Sequence, residues 1–391
     1  MKSEKKTVNK DPLELYIHIP FCEKKCSYCD FLSAPADAET KQRYVDRLIQ
    51  DIRAQAGAYE DYHITSIFFG GGTPSVLKSN AIISIMSALY ESWYVDAGAE
   101  VTIECNPGTV DEEKLGTYRA AGVNRISFGL QSVHDVELKR LGRIHTFEDF
   151  LKSYELAKKT GFENINIDLM SGIPRQTVKE WEDTLKEVLL LRPQHISAYS
   201  LIIEEGTPFD LMYNNEEGRK LLVDEETDRE MYHLTAKLLE EKGFHRYEIS
   251  NYALPGFECR HNIGYWTGAE YLGLGLGASS LVNHHRFHGE NDLQTYLEMD
   301  VSRDITPLYQ DVTQLTRTDE MSEFAFLGLR MTEGISGAEF MERFNANIFD
   351  VFDMAIFRHR QNGLLEVNGS RIRLTEKGLD LANVVMADFL L

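Results

Sequence analysis

The sequence predicts an α/β fold: a parallel sheet of partial-barrel type, six βα units long, followed by a smaller, mainly helical module. Three observations carry this. Short apolar runs alternate with amphipathic stretches of helical period from Leu15 to Leu201, which is the βα signature. No G-x-G-x-x-G follows the first run, so a dinucleotide-binding sheet is disfavoured. Polar residues recur at the ends of the apolar runs, where parallel barrels carry their chemistry. Periodicity alone leaves barrel against open sheet undecided.

Leu15–Ile19 has β character and runs into a cysteine loop, and Ala38–Ala58 has helical period, with Tyr44, Leu48 and Ile52 on one face. Thr65–Phe69 reads as the second strand and leads into the GGGTP stretch, Gly70–Pro74. Helix Asn80–Ser92, strand Glu100–Glu104, helix Asp111–Ala121 and strand Arg125–Phe128 continue the rhythm. Helix Thr146–Thr160, strand Asn164–Leu169, helix Val178–Leu191 and strand His195–Leu201 complete it. A charged amphipathic helix over Glu225–Lys242 precedes the stretch HNIGYW and a glycine-rich run, Gly268–Gly277. Beyond about Thr306 the rhythm stops. Helices near Thr318–Leu329, Ser336–Phe344 and Asp350–Gln361 precede short strands Leu364–Val367 and Ile372–Leu374, then a last helix, Lys377–Leu391. Helices before a small hairpin suggest a winged-helix-like module. The expected division is a core over residues 10–235, an extension over 236–305 and a C-terminal module over 306–391.

The 391 residues carry 41 basic and 62 acidic side chains, a net charge of −21, which argues against nucleic acid as a partner. Five cysteines include three in one short loop. Cys105 is read as packing, Cys259 as a buried small hydrophobe or, alternatively, a thiolate ligand beside His261, and no disulfide framework is expected. The basic start, MKSEKKTVNKDP, lacks an apolar h-region, so no secretory signal is expected. No apolar run approaches the length of a membrane span. A reducing cytoplasm is the expected location.

Cys22, Cys26 and Cys29 stand in C-x3-C-x2-C spacing. Soft thiolates are the preferred ligands of iron–sulfur clusters. With Asp30 next and no fourth cysteine nearby, a cubic cluster would keep one iron open to a small molecule. The alternative, a structural zinc knuckle, wants a fourth ligand that the spacing does not offer. Gly70–Thr73 would let backbone approach a ligand, or simply make a tight βα turn. Glu104, Gln131, Arg143 and Asp168 end or follow successive strands, and Arg offers a carboxylate a bidentate fork. Taken singly, each is as well read as a structural polar residue; together they point to ligand contacts.

The cysteine spacing resembles the signature of radical S-adenosylmethionine (SAM) enzymes. The set YIHIPFCEKKCSYCDF, FFGGGTP, ECNP, SFGLQS, NIDLMSGIP and HNIGYW is similar, almost end to end, to the oxygen-independent coproporphyrinogen oxidase-like branch of that superfamily. The resemblance implies a [4Fe–4S] cluster on Cys22, Cys26 and Cys29, with SAM chelated on the open iron. It places SAM contacts at Tyr16, Tyr28, Gly71, Gly72, Thr73, Glu104, Gln131, Arg143, Asp168 and Ile202, with Tyr28 on the adenine.

True oxidases of that branch carry a fourth cysteine in C-x3-C-x2-C-x-C and a longer N-terminal extension. Here Phe31 occupies the fourth-cysteine position, and few residues precede Leu15. In both respects the sequence resembles instead the HemW heme chaperones, whose motif reads C-x3-C-x2-C-D-F. That resemblance implies bound heme passed to an acceptor such as a respiratory protein, with no coproporphyrinogen turnover and no assigned catalytic residue. His261, Asn262, Tyr265 and Trp266 match the H-N-x-x-Y-W motif associated with heme in that group, making His261 the expected heme ligand. A core histidine beside packed aromatics is the alternative. His284, His285 and His288 form a second metal or heme candidate, or a solvated loop. The rival functions are the decarboxylating oxidase and a heme-degrading, methyltransferase-like enzyme. Transient membrane contact and a monomer or dimer complete the expectations.

Overall fold

Six strands follow one another in the chain and pair in that same order. They are β1 (Asp11–Ile19), β2 (Tyr62–Gly71), β3 (Tyr94–Cys105), β4 (Arg125–Gln131), β5 (Ile165–Ser171) and β6 (His195–Ser200). The computed structural model describes residues 10–391; the basic amino terminus read above lies largely outside them. All five pairings are parallel. Helices α1 (Ala38–Ala56), α2 (Ser79–Ser92), α3 (Glu112–Ala120), α4 (Asp135–Arg140), α5 (Phe147–Lys159) and α6 (Val178–Leu190) connect them. The predicted rhythm is present. The addition is α4, whose six residues are too few to give a periodic signal.

Downstream lie β7 (His245–Arg246), β8 (Asn251–Ala253), β9 (Tyr271–Leu274), β10 (Ser279–Val282), β11 (His285–His288) and β12 (Gln310–Gln314). Strand β9 joins β1 in parallel, and β8 joins β6 antiparallel. The resulting sheet has 12 strands in the order β12-β11-β10-β9-β1-β2-β3-β4-β5-β6-β8-β7. The barrel is partial: antiparallel strands extend both flanks of the parallel run.

Because side chains alternate along a strand, the sheet has two unlike faces. The outer face carries Leu15, Ile17, Ile67, Phe69, Ile103, Ile126, Phe128, Ile167 and Ile196. They are packed in one core with Tyr44, Leu48 and Ile52 of α1, Ile85 and Leu89 of α2, and Trp181 and Leu185 of α6. The inner positions carry Glu14, Ser66, Glu100, Thr102, Arg125, Ser127, Asn166, His195 and Ser197, all buried. An interior of this kind needs its polar groups hydrogen-bonded to one another.

The C-terminal module has its own core, in which Met321, Phe340, Phe344, Phe352, Ile372, Val385 and Phe389 pack together. Its small sheet contains β13 (Ile335–Ser336), β14 (Leu365–Asn368) and β15 (Arg371–Leu374), in the order β13-β15-β14. Two expected helices are broken. The run expected over Asp350–Gln361 is interrupted at Phe352, which leaves helical geometry and packs its ring against Phe340 and Phe389. The final run is interrupted at Leu381. The module is clasped to the barrel by Arg330, whose guanidinium lies 4.2 Å over the Trp266 ring, and by a Thr332 N–H to Tyr247 carbonyl hydrogen bond of 3.0 Å. Among the described residues no helix is long and apolar enough to cross a membrane.

Candidate cofactor site

The cysteine loop leaves the carboxyl end of β1 and is tied down at both root and apex. Cys22 N–H donates to Ala34 O over 3.3 Å at the root. At the apex Ser27 N–H donates to Leu141 O over 3.0 Å, and Ser27 O accepts from Phe209 N–H over 2.9 Å. Cys22, Cys26 and Cys29 thereby face a cavity of 460 Å³ at the carboxyl ends of the parallel strands. Among the described residues no three His, Cys, Asp or Glu side chains converge on one ion. A cube of four irons asks for no such convergence, since each thiolate meets a different iron.

Tyr28, Gly71, Gly72, Thr73, Glu104, Gln131, Arg143, Asp168 and Ile202 line the same cavity. Glycine at 71 and 72 is required by the protein itself. Gly71 has φ +105°, and a Cβ there would lie 2.4 Å from the His18 ring; at Gly72 it would lie 2.5 Å from Phe21 O. Thr73 is buried, and its hydroxyl accepts from Asn106 Nδ2 over 2.7 Å. Asn106 Oδ1 accepts from Arg143 Nη1 over 2.7 Å, and Arg143 Nη2 donates to the Tyr28 hydroxyl over 3.0 Å. Asn106 therefore joins three of the sequence motifs. It was missed in the sequence, although it follows Glu104 at the same strand end.

Gln131 takes φ 74° beside a register shift between Gly129 and Gln131, a bulge that re-aims its side chain. Its Oε1 is buried without a partner, as is Arg143 Nε. Orphaned buried polar atoms of this kind suit a polar ligand in the cavity. Two carboxyl groups share the space. Burial, reinforced by the Asp168 charge, pushes Glu104 up to about 8, while the Gly71 N–H, Arg125 and Arg143 pull it down. Burial also raises Asp168, opposed by hydrogen bonds from Asn166, Ser127 and Ser197. Three thiols, two acceptor carboxyls, a guanidinium and an unpaired amide oxygen form a donor set that fits an iron–sulfur cluster with a hydroxyl- and carboxylate-bearing ligand.

Two expected site residues lie elsewhere. Tyr16 sits one layer deeper, its hydroxyl 3.1 Å from His18 Nδ1 and its ring 3.0 Å from where a Cβ on Gly70 would stand. His261, expected as the heme ligand, is 1% exposed inside the barrel. Its Nδ1 lies 2.8 Å from Ser66 Oγ and its Nε2 3.0 Å from the Tyr265 hydroxyl, and the ring stacks on Phe68 at 5.2 Å. Burial holds the imidazole down to about 3, so it is neutral. Both ring nitrogens are occupied by protein in this conformation, Nδ1 by Ser66 and Nε2 by Tyr265, so the ring packs here as a buried histidine beside aromatics.

The remaining candidates are also occupied. His284 pairs with Glu320, and His288 Nε2 lies 3.0 Å from Asp311. Cys105 and Cys259 are buried, and burial raises each thiol to about 12. Tyr199 and Ser200, beyond the reach of sequence reasoning for any specific role, line the cavity with Met170 and Leu201.

A sequence profile of the radical SAM superfamily matches residues 16–188, and one of the HemN C-terminal domain matches residues 315–381. The heme chaperone HemW of Bacillus subtilis strain 168 is 35% identical over 377 residues, covering 96% of this chain and 98% of that protein. The HemW of Escherichia coli K12 is 39% identical over 272 residues, covering 69% and 70%. Radical S-adenosyl methionine domain-containing protein 1, mitochondrial, of Danio rerio is 33% identical over 392 residues, covering 96% and 86%. In fold, the chain superposes on coproporphyrinogen III oxidase (HemN) of Escherichia coli with a TM-score of 0.84 at 24% identity, over 98% and 91% of the two chains. The superfamily implies a [4Fe–4S] cluster and SAM, and the cavity holds the side chains that would take them. Identity of 35% over 96% of its length places the chain in the HemW family of radical SAM proteins.

Proposed function

We propose that this chain is a heme carrier: it binds heme beside a [4Fe–4S] cluster and SAM and hands the heme to an acceptor protein. Cys22, Cys26 and Cys29 hold the cluster. Glu104 and Asp168 accept from the ribose hydroxyls of SAM, Arg143 takes its carboxylate, the amide oxygen of Gln131 accepts from a hydroxyl, and Gly71–Thr73 border its amino group. The observation that carries the heme reading is the rim of the cavity. Phe31 and Ile202 are 60% and 67% exposed at its mouth, above the polar floor. Exposed apolar side chains around a cleft mark a binding surface. An apolar macrocycle would cover them, and Lys24 and Lys25 on the same wall complement its propionates. Phe31 thus supplies apolar contact where the oxidases carry a cysteine.

Such a carrier works in the cytoplasm and meets its acceptor by transient contact, at the membrane when the acceptor is a membrane-bound respiratory hemoprotein. The test is anaerobic. Cluster-reconstituted protein is given SAM, reductant and coproporphyrinogen III, and in parallel heme and an apo-hemoprotein acceptor. Stoichiometric heme binding and transfer without protoporphyrinogen formation is the expected result. Multiple turnovers of coproporphyrinogen would replace the carrier with the oxidase.

A further inference from the structure

Beneath the cavity the inner barrel wall carries a run of hydrogen bonds with a single consistent direction. At its upper end Asn166 Nδ2 donates to Asp168 Oδ1 over 2.8 Å, and Ser127 Oγ donates to Asp168 Oδ2 over 3.0 Å. The amide oxygen of Asn166 accepts from His195 Nδ1 over 2.6 Å. His195 is fully buried, and its Nε2 lies 2.8 Å from the Tyr247 hydroxyl. The Tyr247 oxygen in turn accepts from Cys259 N–H over 3.3 Å, at the start of helix Arg260–Thr267. Tyr247 is also held through its carbonyl by Thr332 of the C-terminal module.

An asparagine amide has two orientations half a turn apart, and only one of them suits Asp168. Flipped, Asn166 would turn its oxygen on the carboxylate and its NH2 on a ring that already donates. The Ser197 hydroxyl, 3.2 Å from the same amide oxygen, can donate or accept and so suits either orientation; the Nδ1–H of His195 is the partner that holds the correct one. The Tyr247 hydroxyl, donating to Nε2, keeps that proton on Nδ1. We propose that His195 and Tyr247 are positioning residues for Asp168, locking the Asn166 amide so that the carboxylate turns its free lone pairs to a hydroxyl-bearing ligand in the cavity. The same run connects the C-terminal module to the floor of the cavity through Tyr247. The inference rests on Asp168 contacting SAM and is independent of where heme binds.

The test measures SAM affinity by anaerobic equilibrium dialysis in cluster-reconstituted protein, with iron content and melting temperature read on each sample. Asp168→Ala checks the ligand contact itself: unchanged affinity there removes Asp168 from the site, a failure separate from that of the relay. With that contact present, His195→Phe is expected to weaken SAM about tenfold and Tyr247→Phe about threefold, a hydrogen bond's worth or less. His195→Gln, which keeps a donor for Asn166 and an acceptor for Tyr247, is expected to stay within about twofold. A histidine needed only for packing would lower the melting temperature of all three variants and leave SAM affinity alone. Wild-type affinity in both His195→Phe and Tyr247→Phe overturns the proposal. If His195→Phe does not fold, Tyr247→Phe decides, since it removes a single oxygen, and unchanged affinity there overturns the proposal.

Discussion

Arg143 reaches the Tyr28 hydroxyl over 3.0 Å, linking residues 115 positions apart across the mouth of the cavity. The same guanidinium holds Asn106 with its other terminal nitrogen. Lysine keeps the charge but cannot serve both partners in one plane. Arg143→Lys is therefore expected to weaken SAM about tenfold, roughly 1.4 kcal/mol, with iron content unchanged. Equilibrium dialysis checks it; unchanged affinity would take Arg143 out of the ligand site.

Each cysteine of the loop is expected to be necessary for the cluster. Cys22→Ser, Cys26→Ser and Cys29→Ser should each lose most bound iron and labile sulfide on anaerobic reconstitution, because a hydroxyl is a hard, poorly ionised substitute for a thiolate. Cys105→Ser, on the outer face, should keep the full complement. Iron and sulfide assays with visible absorption spectra read both outcomes.

Glu104 makes ligand binding and stability pH-dependent in a stated direction. Its carboxyl in the ligand-free protein is raised to about 8 from 4.5, so between those values the folded state binds more protons than the unfolded. Its contribution to stability therefore falls as pH rises from about 4.5 to about 8. A ligand that donates hydroxyls to Glu104 favours the ionised form, so the rise in melting temperature with SAM should be larger at pH 8.5 than at pH 6. Asp168, Tyr16, Arg125 and Arg143 also face this carboxyl, and Glu14 is raised to about 8 elsewhere in the barrel. Glu104→Gln separates them: it should flatten the pH dependence of the SAM-induced shift.

Heme binding should follow the rim and not His261. The double variant Phe31→Ser, Ile202→Ser removes two apolar contacts of roughly 1.5 kcal/mol each and should weaken heme by about a hundredfold, with bound iron and labile sulfide unchanged. His261→Ala should lower stability by on the order of 3 kcal/mol, through lost stacking and hydrogen bonds, and leave heme stoichiometry intact in the folded fraction. Heme titration followed by absorbance checks both. Loss of heme only in folded His261→Ala would return the ligand role to that ring.

The strand order and the cavity were legible because both follow from alternation and placement. Apolar runs such as Ile165–Ser171 announce strands, and parallel strands deliver residues like Glu104 and Asp168 to one rim. Asn106 was hidden because its role is to bridge loops that are remote in sequence. The surroundings of His261 were not legible, because a motif names residues and not neighbours. Its Ser66 partner lies 195 positions away, and nothing local marks the ring as buried. The breaks at Phe352 and Leu381 arise from tertiary packing in the small core, where helical period alone runs on unbroken.

The two unlike faces of the sheet have a consequence for how the chain finds its fold. Parallel strands buried on both sides usually carry continuous apolar runs, and such runs mark their register weakly. Here a slip of one residue in β1 would drive Glu14 into the helical layer and Leu15 among Glu100, Arg125 and Asn166. Both sides of the strand object to the same error. The polar lining thus proofreads strand alignment during assembly, before any ligand is present.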